Sequence, residues 1–220
     1  MREVAGGSEH RTAVYTSVHE DSSTEPTHKF PTGVEFGKKS IIKIVAAENS
    51  YAQVAQFLGG DYVRVHSMMP KLNIDPHLFT ADATQAKALA QADIVIFNGA
   101  HYDTWVPQLL MGTTKANRQI IEVAQLVPWS ITNPHLWYDP RIMPLYAQAL
   151  TQTLKYYAPT HAVYFDQRLA EFTAEYQKFL DYLLELRVKH QGVVIVMTEP
   201  LFEPMAAYLQ LKILGKRFAS

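Results

Sequence analysis

Four short apolar runs in the first half of the chain, "SIIKIVAA" (residues 40–47), "YVRVHSM" (62–68), "DIVIFNG" (93–99) and "RQIIEVA" (118–124), are separated by stretches of helical character. The first such stretch, around Tyr51 to Leu58, ends in Gly59-Gly60; the next runs near Thr84 to Gln91, and another follows Asp103. Strands that alternate with helices in this way predict a parallel sheet with helices on both faces. This rhythm constrains the fold more than any other feature of the sequence.

The second half is helix-rich. Phe165, Leu169, Phe172, Tyr176, Phe179, Leu183 and Leu186 step by 4, 3, 4, 3, 4 and 3, which predicts one helix of about 30 residues, roughly 45 Å long. Aromatic residues along that stripe suit packing on a globular body better than a coiled-coil seam. A new strand, "VVIVMT" (193–198), and a helix from about Phe202 to Leu209 then begin a second α/β lobe. One strand and one helix cannot close a core, so the chain is expected to be a fragment. By contrast, residues 1–38 mix Ser, Thr, Glu, His and Gly with little periodicity, the composition of a disordered tail. Its His10, His19 and His28 are read as solvated.

Composition narrows the function. With 220 residues, 48% of them hydrophobic, the chain can bury a sizeable core. Twenty Lys and Arg stand against 21 Asp and Glu, so nothing invites nucleic acid or an anionic membrane. A small ligand or a protein is the expected partner. The absence of cysteine excludes disulfides, thiolate metal sites and an N-terminal lipid-bearing cysteine, so any metal must be bound by N and O donors. No apolar run reaches the roughly 20 residues of a membrane span, and the N-terminus shows no apolar core of a secretion signal.

Two loops repeat one device. "IDPHLF" (74–79) and "NPHLWYDP" (133–140) each place a histidine after a proline and before leucine and an aromatic residue. Proline fixes its own φ and restricts the residue before it, so His77 and His135 sit on stiff mounts whose Leu and aromatic neighbours can serve as buried anchors. Both loops follow strands, and ligands of open parallel sheets bind beyond the carboxyl ends of the strands. Glu199 follows "VVIVMT" from the corresponding end of the second lobe. Two imidazoles and a carboxylate form a donor set for a first-row divalent ion, zinc or manganese. His66, His161 and His190 are read as outside the site, whereas His101 in "NGAHYDTW" follows a strand and could approach the crevice. Glu48 and Asn49 could line the cleft or cap the next helix, with capping the expected role of Asn49.

The segments "IVAAENSYAQVAQFLGGDYVRV", "DPHLFTADATQAKALAQADIVIFNGAHYDTW", "NPHLWYDPRIMPLYAQAL" and "TEPLFEPMAAYLQLK" together cover roughly residues 41–214. In this order they resemble the metal-specific solute-binding proteins of bacterial ABC importers, the zinc and manganese uptake component A family. The resemblance implies an α/β fold of two parallel-sheet lobes joined by one long helix, with the metal between them and the second lobe mostly missing. It divides the chain into the tail, an N-terminal metal-binding lobe over residues 39–157, the linking helix over 158–190 and the start of the C-terminal lobe over 191–220. His77 and His135 match the family's first two histidine ligands. Glu199 stands where many members carry a third histidine and others a glutamate, while the fourth, acidic ligand has no counterpart before Ser220. Zinc, or less favourably manganese, would be captured outside the cytoplasm, in the periplasm or at the cell surface. A monomer would deliver it to an ABC permease. The alternative is a metal-dependent hydrolase using an open His/His/Glu site, but neither an HExxH pair nor a Ser/His arrangement supplies its base. A nucleotide-binding domain would want a glycine-rich turn where this chain has "AAENSY".

Overall fold

The computed structural model describes residues 41–69, 79 and 82–214. Of the chain's two units, Met1–Gly37 and Lys38–Ser220, only the second is described. The expected tail with His10, His19 and His28, and His77 with its mount, lie outside the described residues.

Strands β1 (Ile42–Glu48), β2 (Val63–Met69), β3 (Ile94–Phe97) and β4 (Gln119–Glu122) form one parallel sheet in the order β2-β1-β3-β4. Val45 lies in register with His66 on one side and Val95 on the other. All four residues of β3 are buried, the pattern of a strand covered on both faces, whereas edge strand β2 exposes alternate residues, His66 among them. His66 therefore points to solvent.

Successive side chains of a strand point to opposite faces, and here they feed two cores. Ile42, Ile44, Ala46, Ile94 and Ile96 pack with α1 (Asn49–Gly59), α4 (Ile142–Tyr157) and the start of α5 (Ala162–His190). Val45, Ala47, Val95 and Phe97 pack with α2 (Ala83–Gln91) and α3 (Trp105–Met111). Helices on both faces of a parallel sheet are what the alternating sequence predicts.

The helix ends follow local chemistry. Asp82 accepts from the Gln85 N–H while Gln85 reaches back to the Asp82 N–H, a capping box that starts α2. Gly60 ends α1 with φ +52, a conformation that favours glycine. At the other end of α1 the cap position belongs to Glu48 and not Asn49, and the Glu48 side chain makes no capping bond. The capping role expected of Asn49 is thereby corrected.

The long helix is α5, 29 residues. Phe165 is fully buried at its start, Leu169, Phe172 and Tyr176 pack partly against the first core, and Leu183 is buried further along. Phe179 of the same stripe is exposed. His161 stacks on Tyr62, ring centroids 4.1 Å apart, and His190 is exposed at the helix end. Beyond α5, β5 (Val194–Ile195) pairs in parallel with β6 (Lys212–Ile213), with α6 (Glu203–Tyr208) between them. Among the described residues, no helix is long and apolar enough to cross a membrane.

Candidate metal centre

The sheet order fixes where a site can form. From β1 the chain passes to β2 on one side, then crosses to β3 on the other, so the order reverses between β1 and β3. Ligands of open parallel sheets bind beyond the carboxyl ends of the strands at such a reversal. Glu48 is the last residue of β1, and Asn98 follows β3 directly.

Asn98 is fully buried and organises this edge. Its side-chain oxygen accepts from the Tyr51 hydroxyl (2.7 Å), and its amide donates to the carbonyls of Gly99 (2.9 Å) and Pro134 (2.8 Å). Tyr146 in turn donates to the Tyr51 carbonyl at 2.9 Å. The proline mount of His135 is thus bonded to the end of the central strand, and through it to α1 and α4.

His135 is half-buried just before a single 3-10 turn, Leu136–Tyr138. Leu136 enters the first core. The imidazole lies edge-on to Tyr102 and Trp137, with centroids at 5.5 and 5.6 Å. Asn133 Oδ1 accepts the His135 backbone N–H at 2.9 Å and contacts Nδ1 at 2.8 Å. The Asn133 amide nitrogen donates to the Pro200 carbonyl (2.8 Å) and to Glu203 Oε2 (3.1 Å). The Pro200 carbonyl can only accept, which fixes the orientation of the amide and leaves an oxygen facing the imidazole. Nδ1 is thereby set as the donor, and in the neutral ring Nε2 carries the lone pair that could ligate a metal.

Glu199 is exposed and immediately precedes the 3-10 turn Pro200–Phe202. Its neighbour Pro200 is the residue that Asn133 grips. The structure thus ties the segments carrying His135 and Glu199 together through one amide. Among the described residues, no three His, Asp or Glu side chains gather into a metal-binding group.

A cavity of about 750 Å³ lies beside this edge, lined among others by Gly99, His101, Asp103, Glu122, Asn133 and Pro134. His101 lines this cavity. Gly99, Ala100 and His101 all have positive φ, of 75°, 50° and 64°. Such conformations cost of order 1–3 kcal/mol for a residue other than glycine and persist where the surroundings over-determine them. Here Asp103 does so, accepting the N–H groups of Asn98 (2.6 Å) and Gly99 (2.8 Å). A Cβ on Gly99 would also run into the Glu122 carboxylate. Gly99→Ala is expected to destabilise the protein by about 1–3 kcal/mol, read from a denaturant melt.

Glu48 and Asp103 are buried together at this edge, 6% and 1% exposed. Burial pushes the Glu48 carboxyl well above the ordinary carboxylate range, and the charge of Asp103 pushes the same way. Asp103 is also raised by burial, an effect opposed by the neighbouring Glu48 carboxyl and by the Gly99 and Asn98 N–H groups whose bonds it accepts. Tyr51 and Tyr146 are raised first by burial and then by the charge of Glu48.

Of these supports, Asn98 and Asp103 were not anticipated from sequence, and Asn133 was read only as part of a stiff dipeptide. The available signal was an asparagine ending an apolar strand, with an aspartate five residues on.

Comparison with known proteins agrees with the fold and with the family resemblance. The manganese-binding lipoprotein MntA of Bacillus subtilis is 26% identical over 160 residues, which are 68% of this chain and 51% of MntA. The zinc-binding protein TroA of Treponema pallidum is 26% identical over 121 residues, 51% of this chain and 37% of TroA. The chain spans about half the length of the first relative and just over a third of the second. Zn(II)-bound AdcA from Streptococcus pneumoniae superposes with a TM-score of 0.70 at 19% identity, covering 82% of this chain and 40% of AdcA, and this likeness speaks for the fold. The model of the family described as "Zinc-uptake complex component A periplasmic" matches residues 44–218. With that match spanning most of its length, the chain belongs to the zinc-uptake complex component A family.

Proposed function

We propose that this chain captures a divalent metal ion, zinc first and manganese second, outside the cytoplasm for delivery to an ABC importer permease. His77, His135 and Glu199 are the ligands in this reading. Residues 39–157 form the metal-binding lobe, residues 158–190 link it to a second lobe, and residues 191–220 begin that lobe. The protein acts as a monomer.

The observation that carries the proposal is the hydrogen-bonded setting of His135. Asn133 holds Nδ1 and so presents Nε2 in the form a metal requires. Imidazole and carboxylate donors accommodate either ion, and the relatives include one protein named for manganese and one named for zinc. Hydrolysis has no support among them, since their names are those of binding proteins. Binding requires ligands alone, whereas hydrolysis would also require a positioned base.

Zinc is expected at about one ion per chain by elemental analysis. A ligand that binds only the folded state stabilises it by about 2.7 kcal/mol at a concentration of 100 Kd, so the melting temperature should rise with added zinc. The His77→Ala/His135→Ala double variant should lose that rise. Wild-type zinc content in the double variant would show the ligand assignment to be wrong. Metal-dependent turnover of a generic ester would bring back hydrolysis.

A further inference from the structure

Glu48 lies outside the proposed ligand set, yet its carboxyl is buried at the carboxyl edge of β1. Both of its oxygens are inaccessible and lack a hydrogen-bond partner. The backbone N–H groups of Glu48 and Asn98 act on it electrostatically without reaching hydrogen-bond geometry. Asp103 is within reach, but two ionised carboxylates can only accept, so as charged groups they repel. A single proton shared between them turns a repulsive contact into a donor and an acceptor.

The proton belongs on Glu48. Asp103 already accepts the Asn98 and Gly99 N–H groups at 2.6 and 2.8 Å, bonds that favour its ionised form. Glu48 has no such bonds to lose. We propose that Glu48 is a proton-carrying positioning residue whose neutral carboxyl donates to Asp103. Asp103 then stays the charged acceptor that fixes the Asn98–Gly99 turn and, through Asn98 and Pro134, the mount of His135. This assignment concerns the metal-free protein and rests on the function reading only for the purpose of the mount. The other titratable groups acting in this cluster are Tyr51 from α1, Tyr146 from α4 and Tyr102 from the turn itself.

The sign of the pH dependence follows. A carboxyl whose folded pKa is raised binds its proton more tightly when folded, so its contribution is complete below the unfolded value, about 4.3. That contribution is lost as pH rises through the folded pKa. Glu48→Gln replaces the neutral acid with an amide of the same shape that donates to Asp103 at every pH.

The test is the melting temperature of metal-free full-length chains from about pH 5 to about pH 9. The difference, Glu48→Gln minus wild type, should grow with pH, and Asp103→Asn should be less stable than Glu48→Gln because it weakens the acceptor of two backbone N–H groups. A constant difference across the range, or an Asp103→Asn chain more stable than Glu48→Gln, would overturn the proposal. Independently of either variant's folding, the infrared spectrum of the wild-type chain at neutral pH should contain the carbonyl stretch of a buried protonated carboxyl; its absence would overturn the proposal equally. Neither measurement involves zinc, so failure of zinc to bind would sink the function reading and leave this one standing.

Discussion

Asn133→Ala is expected to weaken zinc binding by about 10–100-fold, the usual loss when the partner of a metal-bound imidazole is removed. The substitution deletes the oxygen that holds both the His135 backbone N–H and Nδ1. The ring then loses its preferred tautomer and orientation together. It also deletes the donor to Pro200 and Glu203, so a second effect on stability is expected, and Asn133→Asp separates the two. Aspartate keeps the acceptor for His135 but cannot donate, and it sets a negative charge against Glu203. Chelator competition should show zinc affinity largely recovered in Asn133→Asp, while the melting temperature of its metal-free form falls. If Asn133→Ala binds zinc as tightly as wild type, His135 is not a ligand in the orientation described.

Phe165→Ala should be among the most damaging changes to stability, at about 3–5 kcal/mol. Phe165 is 0% exposed and is the point at which α5 enters the first core. Its ring meets those of Tyr62 and Tyr164 edge-on at 5.8 and 5.7 Å, contacts worth about 0.5–1.5 kcal/mol beyond burial for such a pair. Small side chains cannot refill the space, because Tyr62 is also held by His161. Urea denaturation followed by circular dichroism reads the loss directly. By comparison, Phe179→Ala on the same stripe should change little, since that side chain is 40% exposed.

The contrast between Phe165 and Phe179 shows what periodicity conveys. The spacing of apolar residues predicted a helix over this region, and α5 runs over Ala162–His190, but spacing cannot say how much of a stripe finds a partner. The strand order was similarly out of reach of pattern reading, although the four strands and their parallel sense followed from alternation with helices. At the candidate site, His135 was legible because a proline-histidine-aromatic device repeats in the chain. Asn98 and the dual role of Asn133 were not, because they act across separations of 36 and up to 70 residues that no local pattern encodes. Asp103 bonds locally, but a five-residue spacing alone does not say that the two residues meet. Glu48 was legible as a residue at the carboxyl edge of β1, but its protonation depends on an aspartate 55 positions away.

The single amide of Asn133 has a thermodynamic corollary. It touches the imidazole with one end and the Pro200–Glu203 segment with the other, so the order of that segment and the orientation of the His135 ring are linked quantities. Linkage is reciprocal: were His135 to hold an ion as proposed, whatever factor the ion added to the docking of residues 200–203, the docking of that segment would add to the retention of the ion. If His135 ligates an ion as proposed, loosening this one short turn would lower affinity at the imidazole on the far side of the amide.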